Sequence, residues 1–139
     1  MQRVGHFEFG LDVRLINPGN QQAVDDIEAL WQQGEHIRGW ARYWSLVYGW
    51  LTNWLDDHPE LATAVKLVCY EDLCQRPAQQ LEELLRFAQL HDPKLIDHWQ
   101  SQISAPSYYD SGFSDDERSV IEEETAGVVL ELARWNRAK

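Results

Sequence analysis

The side chains best suited to chemistry stand together in Cys69-Tyr70-Glu71-Asp72-Leu73-Cys74. Glu71 and Asp72 are the residue types of a general acid and base, and two thiols flank them. Neighbouring side chains at the end of an extended segment point apart, however. The simpler assignment is local: the two carboxylates accept from backbone N–H groups and pin the turn and helix that follow. Cys69 and Cys74 are the chain's two cysteines. They are too few for a disulfide framework or a cysteine-only zinc site, and no His stands in a motif with either, so reduced thiols in a cytoplasmic protein are expected. Asp57-His58, His91-Asp92 and Asp97-His98 pair metal-ligand types, but no two His are four residues apart, and no metal site is expected. Trp40, Trp44 and Trp54 would suit an aromatic cage around a cation, yet their spacing inside a long apolar face is that of core packing.

These residues need elements to position them. Val65 to Tyr70 is a short apolar run, predicted as a strand. After it comes Pro77 and a helix with Leu81, Leu84, Leu85 and Ala88 on one face, so the segment reads as half of a βαβ unit. Phe7 to Leu15 alternates apolar and polar residues and predicts a second strand, stopped by the turn chemistry of Asn17-Pro18-Gly19-Asn20. Asn20 caps a helix running to about Gln33, with Val24, Ile27, Leu30 and Trp31 as its apolar side. From Glu35 to Asp57 the residues Ile37, Trp40, Trp44, Val47, Leu51 and Trp54 recur at helical steps. Tyr43, Leu46, Trp50 and Leu55 widen the stripe, which predicts a central, largely buried helix. Gly39 and Gly49 weaken such a helix by ~1 kcal/mol each, and so imply a closely packed neighbour.

Asp92-Pro93 opens a short helix through Leu95, Ile96 and Trp99. Ser104 to Gly112 reads as a loop. Ser114 and Glu117 form a capping box that starts the last helix, with Val120, Ile121, Val128, Leu132 and Trp135 facing inward. Glu122-Glu123-Glu124 reads as the solvated face of that helix near its positive end.

The run "YEDL", a few polar residues, Pro, then "LEELLRFAQL" resembles the late strand-loop-helix of the PAPS-dependent sulfotransferases. The likeness extends in element order from about Glu35 to Trp135. A long Trp- and Tyr-containing helix precedes the strand, and "ISAPSYYDSGFSDDERSVIEEETAGVVLELARW" is similar to the family's tail. The resemblance implies an adenine contact for Tyr70, and for Ser107 and Tyr108 on the other side of the ring. Flat aromatic faces with one or two polar edge groups are what an adenine requires. The family's phosphate-cradling loop, its basic residue beside the sulfuryl group, and the Arg and Ser for the 3′-phosphate would all precede Met1. Residues 101–116 contain no Lys or Arg, so the basic C-terminal segment of some members has no counterpart. Sulfuryl transfer from a polyanionic donor needs positive charge at the transition state. The chain alone is therefore expected neither to bind PAPS nor to transfer sulfate. It is expected to be the C-terminal piece of a longer enzyme or a stand-alone descendant that has lost the chemistry.

Composition narrows the partners. With 139 residues, seven Trp, five Tyr and four Phe, one domain with its own core is expected over 1–139. A net charge of −11 repels phosphate backbones and anionic lipids, so neither nucleic acid nor a membrane surface is an expected partner. No apolar run reaches the ~20 residues of a transmembrane helix, and the first ten residues lack the apolar centre of a secretory leader.

The expected fold is mainly α: a helical bundle around the Trp-rich helix, with one or two short strands as the remnant of an α/β sulfotransferase fold. Two functions stay open. One is a sulfotransferase-like segment whose parent enzyme moves a sulfuryl group from PAPS to a hydroxyl or amine. The other is an acidic helical module that binds protein partners or itself. An apolar edge strand at Val65–Tyr70 would invite pairing between chains, so a two-fold homodimer is expected.

Overall fold

One side chain closes the first turn. Asn17 Oδ1 accepts from the backbone N–H groups of Gly19 and Asn20, both at 2.9 Å. Gly19 takes φ +96°, where a side chain would be strained. Asn20 Oδ1 then accepts from the Ala23 N–H at 3.1 Å and opens helix α1, Gln21–Gln32. The computed structural model describes residues 14–105 and 112–137. Gly34, at φ +85°, ends α1 while the Glu35 N–H reaches back to the Leu30 carbonyl at 2.9 Å. Helix α2, His36–Asp57, follows at once. A 3₁₀ turn over Pro59–Thr63 leads to α3, Tyr70–Gln75, then α4, Pro77–Phe87, and α5, Pro93–Trp99. Helix α6, Asp115–Arg137, closes the described chain.

Local chemistry accounts for the helix starts. Pro77 and Pro93 stand at first helical positions, and Asp92 Oδ1 accepts from the Leu95 N–H at 3.2 Å. The capping box ahead of α6 is reciprocal. Ser114 N–H donates to Glu117 Oε2 at 2.8 Å, and Glu117 N–H donates to Ser114 Oγ at 3.2 Å.

The described residues fall into two compact units. One takes those of Met1–Asn53 and Phe113–Glu131: α1, most of α2 and the first part of α6. Val24, Ile27 and Ala41 are its buried apolar side chains. The other takes those of Trp54–Gly112 and from Leu132 on. There α4 packs against α3 and α5, and Leu55 is fully buried.

The fold is mainly helical, as expected, but two expectations need correction. No strand forms among the described residues. Val65 to Cys69 makes no ladder, and "YEDL" lies inside α3 instead of closing a strand. A strand exists only when a second one satisfies its backbone groups. Here the backbone turns helical instead, and the Leu73 N–H donates to the Cys69 carbonyl at 3.0 Å. Half of a βαβ unit is therefore not formed, and the edge-strand premise for a homodimer falls with it. Of the other predicted strand, residues 7–13 lie outside the described residues, and Arg14 and Leu15 carry no strand.

The second correction concerns α2. Ala41, Thr52 and Leu55 are buried, whereas Trp50 is 46% and Trp54 36% exposed. Ala41, Thr52 and Leu55 share the inward row of the helix, and Trp50 and Trp54, two residues either side of Thr52, turn away from it and stay partly wet. Close approach is borne out at Gly39, whereas at Gly49 the neighbour leaves room for a side-chain carbon. A Cβ on Gly39 would overlap the Trp31 indole, and one on Gly49 would stand 3.4 Å from Val128 Cγ2.

Candidate functional site

A clamp of charged side chains joins α2 to α6 in the first unit. Arg38, Arg42 and Ser45 recur at helical steps and share one side of α2. Arg42 Nε donates to Glu124 Oε2 at 2.8 Å, and the Arg38 guanidinium binds the same carboxylate and, at 3.4 Å, Glu123. Ser45 Oγ donates to the Glu124 carbonyl at 2.7 Å. The Glu124 side chain is only 13% exposed. The Arg42 hydrogen bond holds its carboxyl below the ordinary Glu range; burial opposes this and Arg38 reinforces it. Arg38 and Arg42 are both raised above the ordinary Arg value, chiefly by their hydrogen bonds to Glu124. Glu122 and Glu123 are exposed, as expected of a solvated face, but Glu124 is not. Arg38 and Arg42 stand one helical turn apart, but their spacing alone does not distinguish a buried carboxylate partner from solvent.

Beside the clamp runs an apolar groove of about 430 Å³. Ile37, Trp40, Ala41 and Trp44 line it from α2. Phe113, Ile121, Thr125 and Val129 line it from the segment that opens α6 and from α6 itself. The Thr125 hydroxyl donates to the Ile121 carbonyl at 2.8 Å, so that polar atom is already engaged. Further rings back the tryptophans. Trp40 meets Trp31 at 4.8 Å and Tyr43 at 6.0 Å between ring centroids, and Trp44 meets Tyr48 at 4.6 Å. Tyr43 Oη accepts from the Ile16 N–H at 3.0 Å, which ties the start of the described chain to α2.

A second depression, about 410 Å³, shares Ile37 with the groove and is lined also by Gly34, Glu35, His36, Arg38, Glu117 and Val120. Its character is ionic: Glu35 pairs with Arg38 Nε at 3.3 Å.

The sequence pointed to other positions. Tyr70 is the first residue of α3, in the second unit, and is 55% exposed. Ser107 and Tyr108 lie outside the described residues. Glu71 and Asp72 occupy the first turn of α3 and have local partners. Cys69 Sγ donates to Glu71 Oε2 at 3.1 Å; that bond, with one from its own backbone N–H, holds the Glu71 carboxyl below the ordinary range. Arg76 Nη2 donates to Asp72 Oδ1 at 2.7 Å, one helical turn on. The partners are local, as expected, but they are mainly side chains and not backbone N–H groups: a thiol for Glu71, beside its own N–H, and a guanidinium for Asp72. The groove itself was missed because Phe113 and the α6 row are distant from α2 in sequence.

Compared with known proteins, the chain matches no family model, no curated protein and no solved structure. Among the described residues, no three His, Cys, Asp or Glu side chains gather as a metal ion would need. No helix among them is long and apolar enough to cross a membrane.

Proposed function

We propose that this chain is a non-enzymatic helical module that takes an apolar protein segment into the groove between α2 and α6. The observation that carries this reading is the lining itself. Trp40, Trp44, Phe113, Ile121 and Val129 offer rings and branched side chains, no ionisable side chain stands among the lining residues, and the Thr125 hydroxyl is engaged by the Ile121 carbonyl. Bond-making needs such groups converging on one point, whereas partner binding needs a preformed apolar slot with aromatic anchors. Phe113 and Val129 are 39% and 48% exposed, so a partner would remove real apolar surface from water.

The test is a titration of a neutral amphipathic helical peptide, Leu and Ala on one face and Gln on the other, followed by Trp fluorescence. Micromolar binding that Val129→Asp weakens at least severalfold, with the variant's circular dichroism unchanged, is the expected result. Equal binding by the variant would move the contact away from the groove.

A second reading keeps the resemblance to the PAPS-dependent sulfotransferases, with the parent enzyme transferring a sulfuryl group to a hydroxyl or amine. The order of elements after Tyr70 favours it: α4 opens on Pro77, α5 on Pro93 and α6 behind the Ser114 box. The strand this family places before Tyr70 is not formed, which weighs against it. On this reading Tyr70, Ser107 and Tyr108 are part of an adenine pocket, and the chain by itself does not hold PAPS. Titration calorimetry with PAPS and its desulfated product should show no micromolar binding. A micromolar Kd abolished by Tyr70→Ala would place a working adenine site on this chain.

A further inference from the structure

We infer that the segment taken by the α2–α6 groove is a basic amphipathic helix, with an apolar face about two turns long and Lys or Arg beside it. The inference rests on the binding-module reading above and names the partner's chemistry.

Length comes first. On α6 the lining row is Ile121, Thr125 and Val129. At 1.5 Å per residue that row spans roughly 12 Å, or a little over two turns. On α2, Ile37 to Trp44 spans roughly 10 Å. A helix presenting anchors at i, i+3 or i+4, and i+7 fills a slot of this length. The walls are themselves helices, so a third helix can pack into their grooves. Among the described residues there is no strand to offer an edge for an extended peptide.

Charge decides the rest. The described residues of this unit carry Arg14, Arg38, Arg42 and Arg118 against eleven carboxylates. Arg38 and Arg42 are bound by Glu124, with Glu123 and Glu35 also on Arg38. Arg118 Nε donates to the Phe113 carbonyl. The described residues of the unit keep an excess of seven negative charges. Glu35 and Glu117 line the depression that joins the groove at Ile37, where Glu35 pairs with Arg38 and Glu117 accepts from the Ser114 N–H. On α6, Asp115 and Glu122 lie two turns apart on one row with Arg118 between them, and Glu122 directly follows the lining residue Ile121. An apolar slot in a unit with this excess of carboxylates complements a cationic, apolar-faced helix. A second copy is as acidic, with a net charge of −11 over the whole chain, and it and an anionic membrane are both repelled.

Three peptides of ~18 residues, long enough to be helical, separate the possibilities. They share one Leu/Ala face and carry Lys, Gln or Glu on the other, and each is titrated against the full chain by fluorescence anisotropy. The Lys peptide should bind about tenfold tighter than the Gln peptide, and the Glu peptide weakest. Raising salt from about 0.05 M to about 0.5 M should shrink the Lys advantage. The double variant Glu35→Gln/Glu122→Gln should do the same at low salt and leave the Gln peptide's affinity unchanged. If Lys and Gln peptides bind equally, the basic partner is wrong and the groove reading stands. If none binds, or Val129→Asp binds all three like the parent chain, the groove reading falls and takes this inference with it. A dimer seen by light scattering and broken by Val129→Asp would make the occupant a second copy and overturn the inference.

Discussion

Trp31 lies across Gly39. A Cβ at that glycine would overlap the indole Nε1 and Cδ1, so α1 and α2 meet where α2 has no side chain. The indole Nε1 is buried there without a hydrogen-bond partner among the described residues, and the ring continues onto Trp40, which lines the groove. The short link through Gly34 and the bare patch at Gly39 thus set the position of a groove tryptophan.

Gly39→Ala should destabilise the chain even though alanine favours a helix by ~1 kcal/mol. Overpacking against the indole costs ~1–3 kcal/mol, and that effect wins. Gly49→Ala is the control. Its Cβ would meet Val128 Cγ2 at 3.4 Å, an ordinary contact, so the propensity gain of ~0.5–1 kcal/mol should survive. Urea unfolding of both variants reads the difference in sign. A stabilised Gly39→Ala would mean that Trp31 moves aside freely.

Leu55 should outweigh the larger tryptophans. It is fully buried, and Leu55→Ala should cost ~2–5 kcal/mol. Trp50 is 46% exposed, and Trp50→Ala should cost less than ~1.5 kcal/mol. Trp44, half-buried in the groove wall, should fall between them and not at the ~3–5 kcal/mol that its place in the apolar stripe suggests. Denaturant titration of the three variants gives the order directly; a Trp50 loss above that of Leu55 would reverse the assignment of the core.

Glu124 should leave a signature in acid. Its folded carboxyl sits below its unfolded value because Arg42 and Arg38 donate to it. The folded state therefore holds fewer protons than the unfolded state in that window. The stabilisation is complete above the ordinary Glu value of about 4.3 and is lost as pH falls through the lower folded value. Glu124→Gln should cost ~1–2 kcal/mol at neutral pH and flatten the acid limb of the stability profile. Asp56, lowered chiefly by the Arg134 hydrogen bond, keeps some of that limb in the variant. Thermal unfolding across the acid range checks both points, and an unchanged limb would make the clamp energetically idle.

The capping box should be worth a measurable amount. Ser114→Ala removes the acceptor for the Glu117 N–H and should cost ~1 kcal/mol, with Asn20→Ala similar at α1. Loss of helical signal on heating would begin earlier in both variants. No change in either would show that these helix starts are held by packing alone.

Much of the architecture was legible from short-range chemistry. Asn20, Pro77, Asp92-Pro93 and the Ser114–Glu117 box mark the helix starts that form, and Gly39 marks a close approach that exists. Each of these signals acts within about one turn of its own residue, so the local sequence determines it. Val65–Tyr70 shows the limit. A short apolar run suits a strand or a helix start equally, and the choice falls to whether a second strand is there to pair with it. The clamp and the groove lie further beyond local reading. Arg42 and Glu124 are 82 residues apart, and nothing near either residue names the other. Only when α2 and α6 pack side by side do two arginines and one glutamate become partners, and only then do Trp40, Trp44, Ile121 and Val129 face a common space. Caps and periodicity follow from covalent neighbours. Which tryptophans are core, which carboxylate is buried and where a partner can enter follow from packing, which the tertiary structure alone decides.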